Sequence, residues 1–195
     1  MIFRPLLFSL LLASPLTTQA GENTVWLHNG KLDLRVPSDW TIIAHNPSGN
    51  RTVIAFQLHD NPAEKDTEES TNLAVSTFNL HNTESMLAFT GPLLEEKEGA
   101  KDSSFGPWAI REWQGKQGET PYKIVDANAT HEPLATGVQV RLAWPSTAAN
   151  AKDYDTKMME LLRKLLGELA ERNGIKPAAE AGEKKADAPP PAEPR

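Results

Sequence analysis

Apolar and polar positions alternate along most of the chain, and the period changes only in the middle and near the C-terminal end. Leu32, Leu34 and Val36 alternate with Lys31, Asp33 and Arg35, so an extended strand there has one apolar and one charged face. Pro37 lacks a backbone donor and ends that strand, and Ser38-Asp39 supplies turn chemistry before Trp40. Val25–His28 and Lys31–Val36 flank Asn29-Gly30, a pair suited to a two-residue hairpin turn with positive φ. Further strands are predicted over Trp40–His45, Thr52–Leu58, Leu73–Leu80, Gly106–Gln114, Tyr122–Thr130 and Gly137–Trp144. In the last of these Val138, Val140, Leu142 and Trp144 face one way and Gln139 and Arg141 the other, until Pro145 stops it. A polar loop, Gly115–Pro121, joins two of the strands.

Two stretches carry the helical period instead. Tyr154, Met158, Leu161, Leu162, Leu165 and Leu169 recur at three- and four-residue steps, which predicts an amphipathic helix over about Asp153–Arg172. Acids in its first turn and Arg172 in its last suit the helix dipole, and Asn173-Gly174 supplies a left-handed stop. The apolar stripe is too short for a coiled-coil seam, which needs three to four heptads, so packing onto the sheet is expected. Thr83-Glu84-Ser85 opens a mid-chain helix through about Glu98, interrupted near Gly91-Pro92. The fold class expected is therefore α+β, a single domain over residues 21–174. It has about eight mainly antiparallel strands, a mid-chain helix and a long C-terminal helix packed on the sheet.

The two ends differ from this pattern. Arg4 precedes the apolar run Pro5–Ala13, and Thr18 and Ala20 suit the small-residue positions of a cleavage site, so residues 1–20 read as a secretory signal peptide. The run falls short of the roughly 20 apolar residues a membrane span requires. Residues 175–195, rich in Pro, Ala, Glu and Lys, bury little apolar surface and are expected to be disordered. The protein is thus expected to be exported, periplasmic in a Gram-negative source or secreted, with no membrane span after cleavage.

Charge and composition narrow the partners. Without Arg4 the chain keeps 19 of its 20 basic residues against 26 acidic ones, a net charge of −7. That argues against nucleic acid and anionic membrane, which are bound through Lys and Arg. The absence of cysteine excludes a disulfide framework and thiol chemistry. No nucleophile elbow, zinc-protease helix, phosphate loop or dinucleotide fingerprint occurs in the sequence. The five histidines show no metal-ligand spacing and read as ordinary surface residues, with His59 or His81 beside the acidic 60–70 loop as the one alternative. No cofactor and no catalytic residue is expected.

The five tryptophans say more. Trp26, Trp40 and Trp144 occupy core-compatible positions. Trp108 and Trp113 differ in parity along one strand and so point to opposite faces, with Arg111 on the face of Trp113. An exposed Trp beside an Arg has the composition of a binding hot spot, which makes Trp113, Arg111 and Trp108 candidate protein-contact residues. The alternative is a bulge that places both rings in the core.

The corner Val36-Pro37-Ser38-Asp39-Trp40, the following strands, the mid-chain helix and the closing helix Tyr154–Leu169 together resemble the PsbP-like superfamily. That superfamily includes DcrB-type bacterial envelope proteins. The resemblance covers about Val25–Arg172 and implies an antiparallel sheet with helices packed against it. It also implies a mostly non-catalytic, protein-binding role, with no shared catalytic residues to carry over. The function expected is an exported, non-enzymatic binding or accessory protein whose partner is another envelope or secreted protein. Alternatives are a periplasmic immunity-type protein neutralising a toxin, a hydrolase with a fold-assembled site, and a small-ligand carrier.

Overall fold

A computed structural model describes residues 21–48, 51–58, 70–80, 97–146 and 151–177. Among them are nine strands: β1 (Glu22–Leu27), β2 (Leu32–Pro37), β3 (Thr41–Ser48), β4 (Arg51–Leu58), β5 (Thr71–Asn79), β6 (Lys97–Phe105), β7 (Trp108–Gln117), β8 (Thr120–His131) and β9 (Thr136–Pro145). One long helix, α1 (Ala151–Asn173), closes the described chain. The fold is α+β and mainly antiparallel sheet, as the alternation predicts. β1 and β2 form a two-stranded hairpin, and the other seven strands form one sheet in the order β3-β4-β5-β9-β8-β7-β6.

The period of two decides which side chains meet. Register pairs such as Phe56–Leu73, Leu73–Leu142 and Leu142–Val125 run across the sheet and place apolar residues on one face. Onto that face α1 lays Met158, Leu162, Leu165, Leu166 and Leu169, all buried, and the hairpin adds Leu27, Leu32, Leu34 and Val36. Each of these large apolar side chains contributes on the order of 1.5–3 kcal/mol by leaving water. Trp40, half-buried, tilts against Phe56 with ring centroids 6.0 Å apart.

The end of α1 is tied down at several points. Gly174 takes φ +65°, the Gly174 N–H donates to the Glu171 carbonyl, and the Ile175 N–H donates to the Ala170 carbonyl. This is a Schellman ending, and its apolar partner is Ile175, which is buried in the core. Ile175, one residue past the expected boundary, thus packs into the same core as the helix. Asn173 bonds both backbone groups of Asp33, its Oδ1 accepting from the N–H and its Nδ2 donating to the carbonyl, each at 2.8 Å. Arg172 pairs with the Asp33 carboxylate beside it.

Some expectations need correction. The first turn is wider than two residues: Leu27 pairs with Leu32, and His28, Asn29 and Gly30 all have positive φ. The loop expected at 115–121 shrinks to a turn at Gly118-Glu119, because β7 runs to Gln117 and β8 starts at Thr120. The described residues hold nine strands rather than about eight because Lys97–Phe105 is extended, which also overturns the helical assignment of Lys97 and Glu98. The rest of the expected mid-chain helix falls in 81–96, outside the described residues, as do the signal segment, residues 60–69 of the acidic 60–70 loop and the tail beyond 177. Trp26 lies between inward-facing Val25 and Leu27, so it points outward and is 61% exposed instead of packed.

Candidate functional site

Strand β7 positions the residues singled out in the sequence. Its even positions Trp108 and Ile110 face α1, and its odd positions Arg111 and Trp113 face the other side, as the parity requires. Both indoles are nevertheless buried, Trp108 at 1% exposure and Trp113 at 8%. The expectation of a solvent-facing ring on this strand is corrected, because each face has its own reason to cover one. The Trp108 Nε1–H donates to the Leu166 carbonyl of α1 at 3.1 Å. Trp113 packs with Tyr122, Ile124 and Ala143 in a second, smaller cluster. No bulge is needed to bury both rings.

The polar groups around Trp113 form a closed set. Asp126 is buried, and Arg141 grips it with two bonds, Nε to Oδ1 at 2.6 Å and Nη2 to Oδ2 at 3.0 Å. The same Oδ2 accepts the Trp113 indole N–H at 2.8 Å, and the guanidinium stands 5.4 Å from the centre of that ring. Charge, hydrogen bonds and the ring face satisfy one another, the arrangement in which a buried ion pair is tolerated. Arg111 is opposite Asp126 in the register, and of the three candidate contact residues it is the exposed one.

Two histidines are also internal rather than on the surface. His131 Nδ1 accepts from the Leu134 N–H, which makes Nε2 the protonated nitrogen, and this donates to the Asn173 carbonyl at 3.0 Å. It caps the 3₁₀ turn Glu132–Leu134 and holds the end of α1. His28 is buried as well, with its ring nitrogens 3.3 and 3.5 Å from the Thr136 hydroxyl. Both read as structural. His59 and His81 lie outside the described residues.

Solvent-facing apolar groups gather elsewhere, on the margins of the two sheets. Ile42 and Ile43 are 54% and 51% exposed at a bulge in β3, one outer strand of the large sheet, and Trp26 stands on the outer face of the hairpin. Phe105, 37% exposed, ends β6 at the opposite edge. There the sheet extends beyond α1 and leaves a groove of about 280 Å³. Ile110, Leu162 and Leu166 form its buried floor, Phe105 and Met159 its apolar sides, and Ser103, Glu112 and Arg163 its polar rim. A wider depression of about 560 Å³ lies where α1 ends, between Thr130, Glu132 and Pro133 on one side and Gly174, Lys176 and Pro177 on the other.

The alternation in sequence points to Trp108 and Trp113 but not to this groove. Its signal is present only as Phe105 two residues before Pro107, with no apolar pattern in β6 itself. No helix among the described residues is long and apolar enough to cross a membrane. Neither protein-family models nor curated proteins match the chain. Among solved structures it is similar to a single-site mutant of the protein Mog1, with a TM-score of 0.45 and 13% identity over 78% of this chain and 94% of that one. It is likewise similar to the Saccharomyces cerevisiae Ran-binding protein Mog1p, with a TM-score of 0.44, 13% identity and the same coverage. Protein PA94 of unknown function from Pseudomonas aeruginosa aligns with a TM-score of 0.36 and 14% identity, over 74% of this chain and 95% of that chain.

Proposed function

We propose that the chain is an exported, non-enzymatic accessory protein that acts by binding another protein of the envelope or the secreted fraction. The observation that carries this reading is the placement of the exposed large apolar side chains. Trp26, Ile42, Ile43 and Phe105 sit on strand margins, where a partner can reach both the side chain and an open backbone edge. Export is supported by the first twenty residues, and the resemblance to the PsbP-like superfamily points to the same protein-binding class. The net charge of −7 after removal of Arg4 favours a basic partner, steered electrostatically and sensitive to salt. An immunity-type protein that neutralises a basic toxin is the narrower form of this reading.

A small-ligand carrier is the second reading, favoured by the apolar groove between the sheet and α1. The groove is open and has a polar rim of Ser103, Glu112 and Arg163, and the exposed apolar strand margins support the protein-binding reading ahead of it. The test is affinity capture with residues 21–195 from envelope and secreted extracts of the source, at low and high salt, with mass spectrometry of what is retained. One stoichiometric protein, released at high salt, is the expected result. A blank at both salt concentrations would reject the protein-binding reading.

A further inference from the structure

The edge at β6 shows more than exposure. Its residues Lys101–Phe105 are all exposed, and β6 is the outermost strand of the sheet, bonded to β7 on one side. The turn Gly106-Pro107 joins Phe105 directly to its register partner Trp108. In a hairpin closed by two residues that flanking pair bonds inward, so the alternate residues Asp102 and Ser104 aim their N–H groups outward. The outer edge of β6 thus carries an ordered row of donors and acceptors over five residues, roughly 17 Å of strand.

The groove lies directly beside that row. A strand added to β6 would continue the sheet, and every second side chain would point to the face that α1 covers. One such side chain would enter the space between Phe105, Ile110, Met159 and Leu162, where the floor is apolar and buried. The groove has the scale of one or two large apolar side chains.

Charge completes the specification. On the rim, Glu112 faces Lys123 at 4.0 Å and is opposite Lys101 in the register. Arg163, exposed on α1, holds no ion pair among the described residues. Lys101 is in the same condition, so two cations without an ion pair among the described residues stand beside the groove although the whole chain is acidic. We infer that β6 and this groove form a docking site for an extended segment of a partner protein, one that adds a strand to the sheet and carries a large apolar residue next to a carboxylate. The inference rests on the protein-binding reading and names the surface and the chemistry of the contact.

The test pans a displayed library of random nine-residue peptides on residues 21–195. Enrichment of sequences with Leu, Ile, Phe or Trp beside Asp or Glu is expected. The enriched peptides should bind Ser104→Pro, which removes an outward donor, and Met159→Asp, which charges the groove, at least about tenfold more weakly. Arg163→Glu on the exposed helix face should weaken acidic peptides by a similar factor and restore binding when their Asp or Glu is replaced by Lys. This charge swap needs no change to the core and keeps the test decisive if Ser104→Pro unfolds. Absence of enrichment, or peptides indifferent to all three substitutions, overturns the inference. So does sedimentation showing a concentration-dependent dimer that Ser104→Pro disrupts and that excludes the peptide, since the edge then takes a second copy. Capture of the same partner by the wild type and by the folded β6 and groove variants leaves the protein-binding reading standing and rejects this site alone.

Discussion

The two faces of the large sheet treat one residue type in opposite ways. On the face under α1, Trp108 is surrounded by hydrocarbon, and its indole N–H serves the helix backbone at Leu166. On the other face, Trp113 serves a carboxylate, with Arg141 over its ring and Asp126 at its nitrogen. The first tryptophan joins two elements through packing. The second completes a polar set within strands that the backbone ladder already holds together. Removing hydrocarbon should therefore damage the first face most, and removing charge balance should damage the second.

Four substitutions break or sharpen that contrast. Trp108→Ala leaves a cavity under α1 and removes the bond to the Leu166 carbonyl, and should cost about 3–5 kcal/mol, read by urea denaturation of the full chain. Asp126→Ala leaves the half-buried Arg141 guanidinium and the Trp113 N–H without their acceptor and should cost about 3 kcal/mol. The double substitution Asp126→Leu with Arg141→Met should recover most of that loss; if it does not, the second face depends on the ion pair itself and the contrast fails. Gly137→Ala tests how tightly the second face is packed. A Cβ at Gly137 would overlap the Phe78 ring directly opposite, so a cost of about 1–3 kcal/mol is expected, relieved when Phe78 is also changed to Leu. Trp26→Ala should shift stability by less than about 0.5 kcal/mol, because its ring points outward and is mostly exposed. A large loss there would mean that the hairpin depends on its outer side.

Regular burial explains which parts of this fold are legible in the sequence. β9 and α1 bury one side continuously, so their periods of two and 3.6 are written in Val138–Trp144 and Tyr154–Leu169. Trp26 reads as core by its size, although its parity against Leu27 already places it outside; position outweighs size there. β6 is illegible for a different reason. An outer strand whose residues 101–105 are all exposed needs no apolar alternation, and its conformation comes from the β7 backbone. Half of the groove is illegible with it, since Phe105 and Ser103 acquire meaning only when β6 lies beside α1. The pairing of Asp126 with Arg141 is equally non-local, a product of register between β8 and β9.

The amide of Asn173 has a consequence for the order of folding. It mimics a peptide unit, offering one donor and one acceptor to Asp33 across 140 positions of sequence. Closing so large a loop is entropically expensive and comes late, after the hairpin and helix have each formed from local contacts. The seam between them should then be the first to open under native conditions. Amide exchange at Asp33 should report the joint release of the first hairpin and the last turn of the helix, well below the free energy of global unfolding. The two ends of the domain would behave as a single latch.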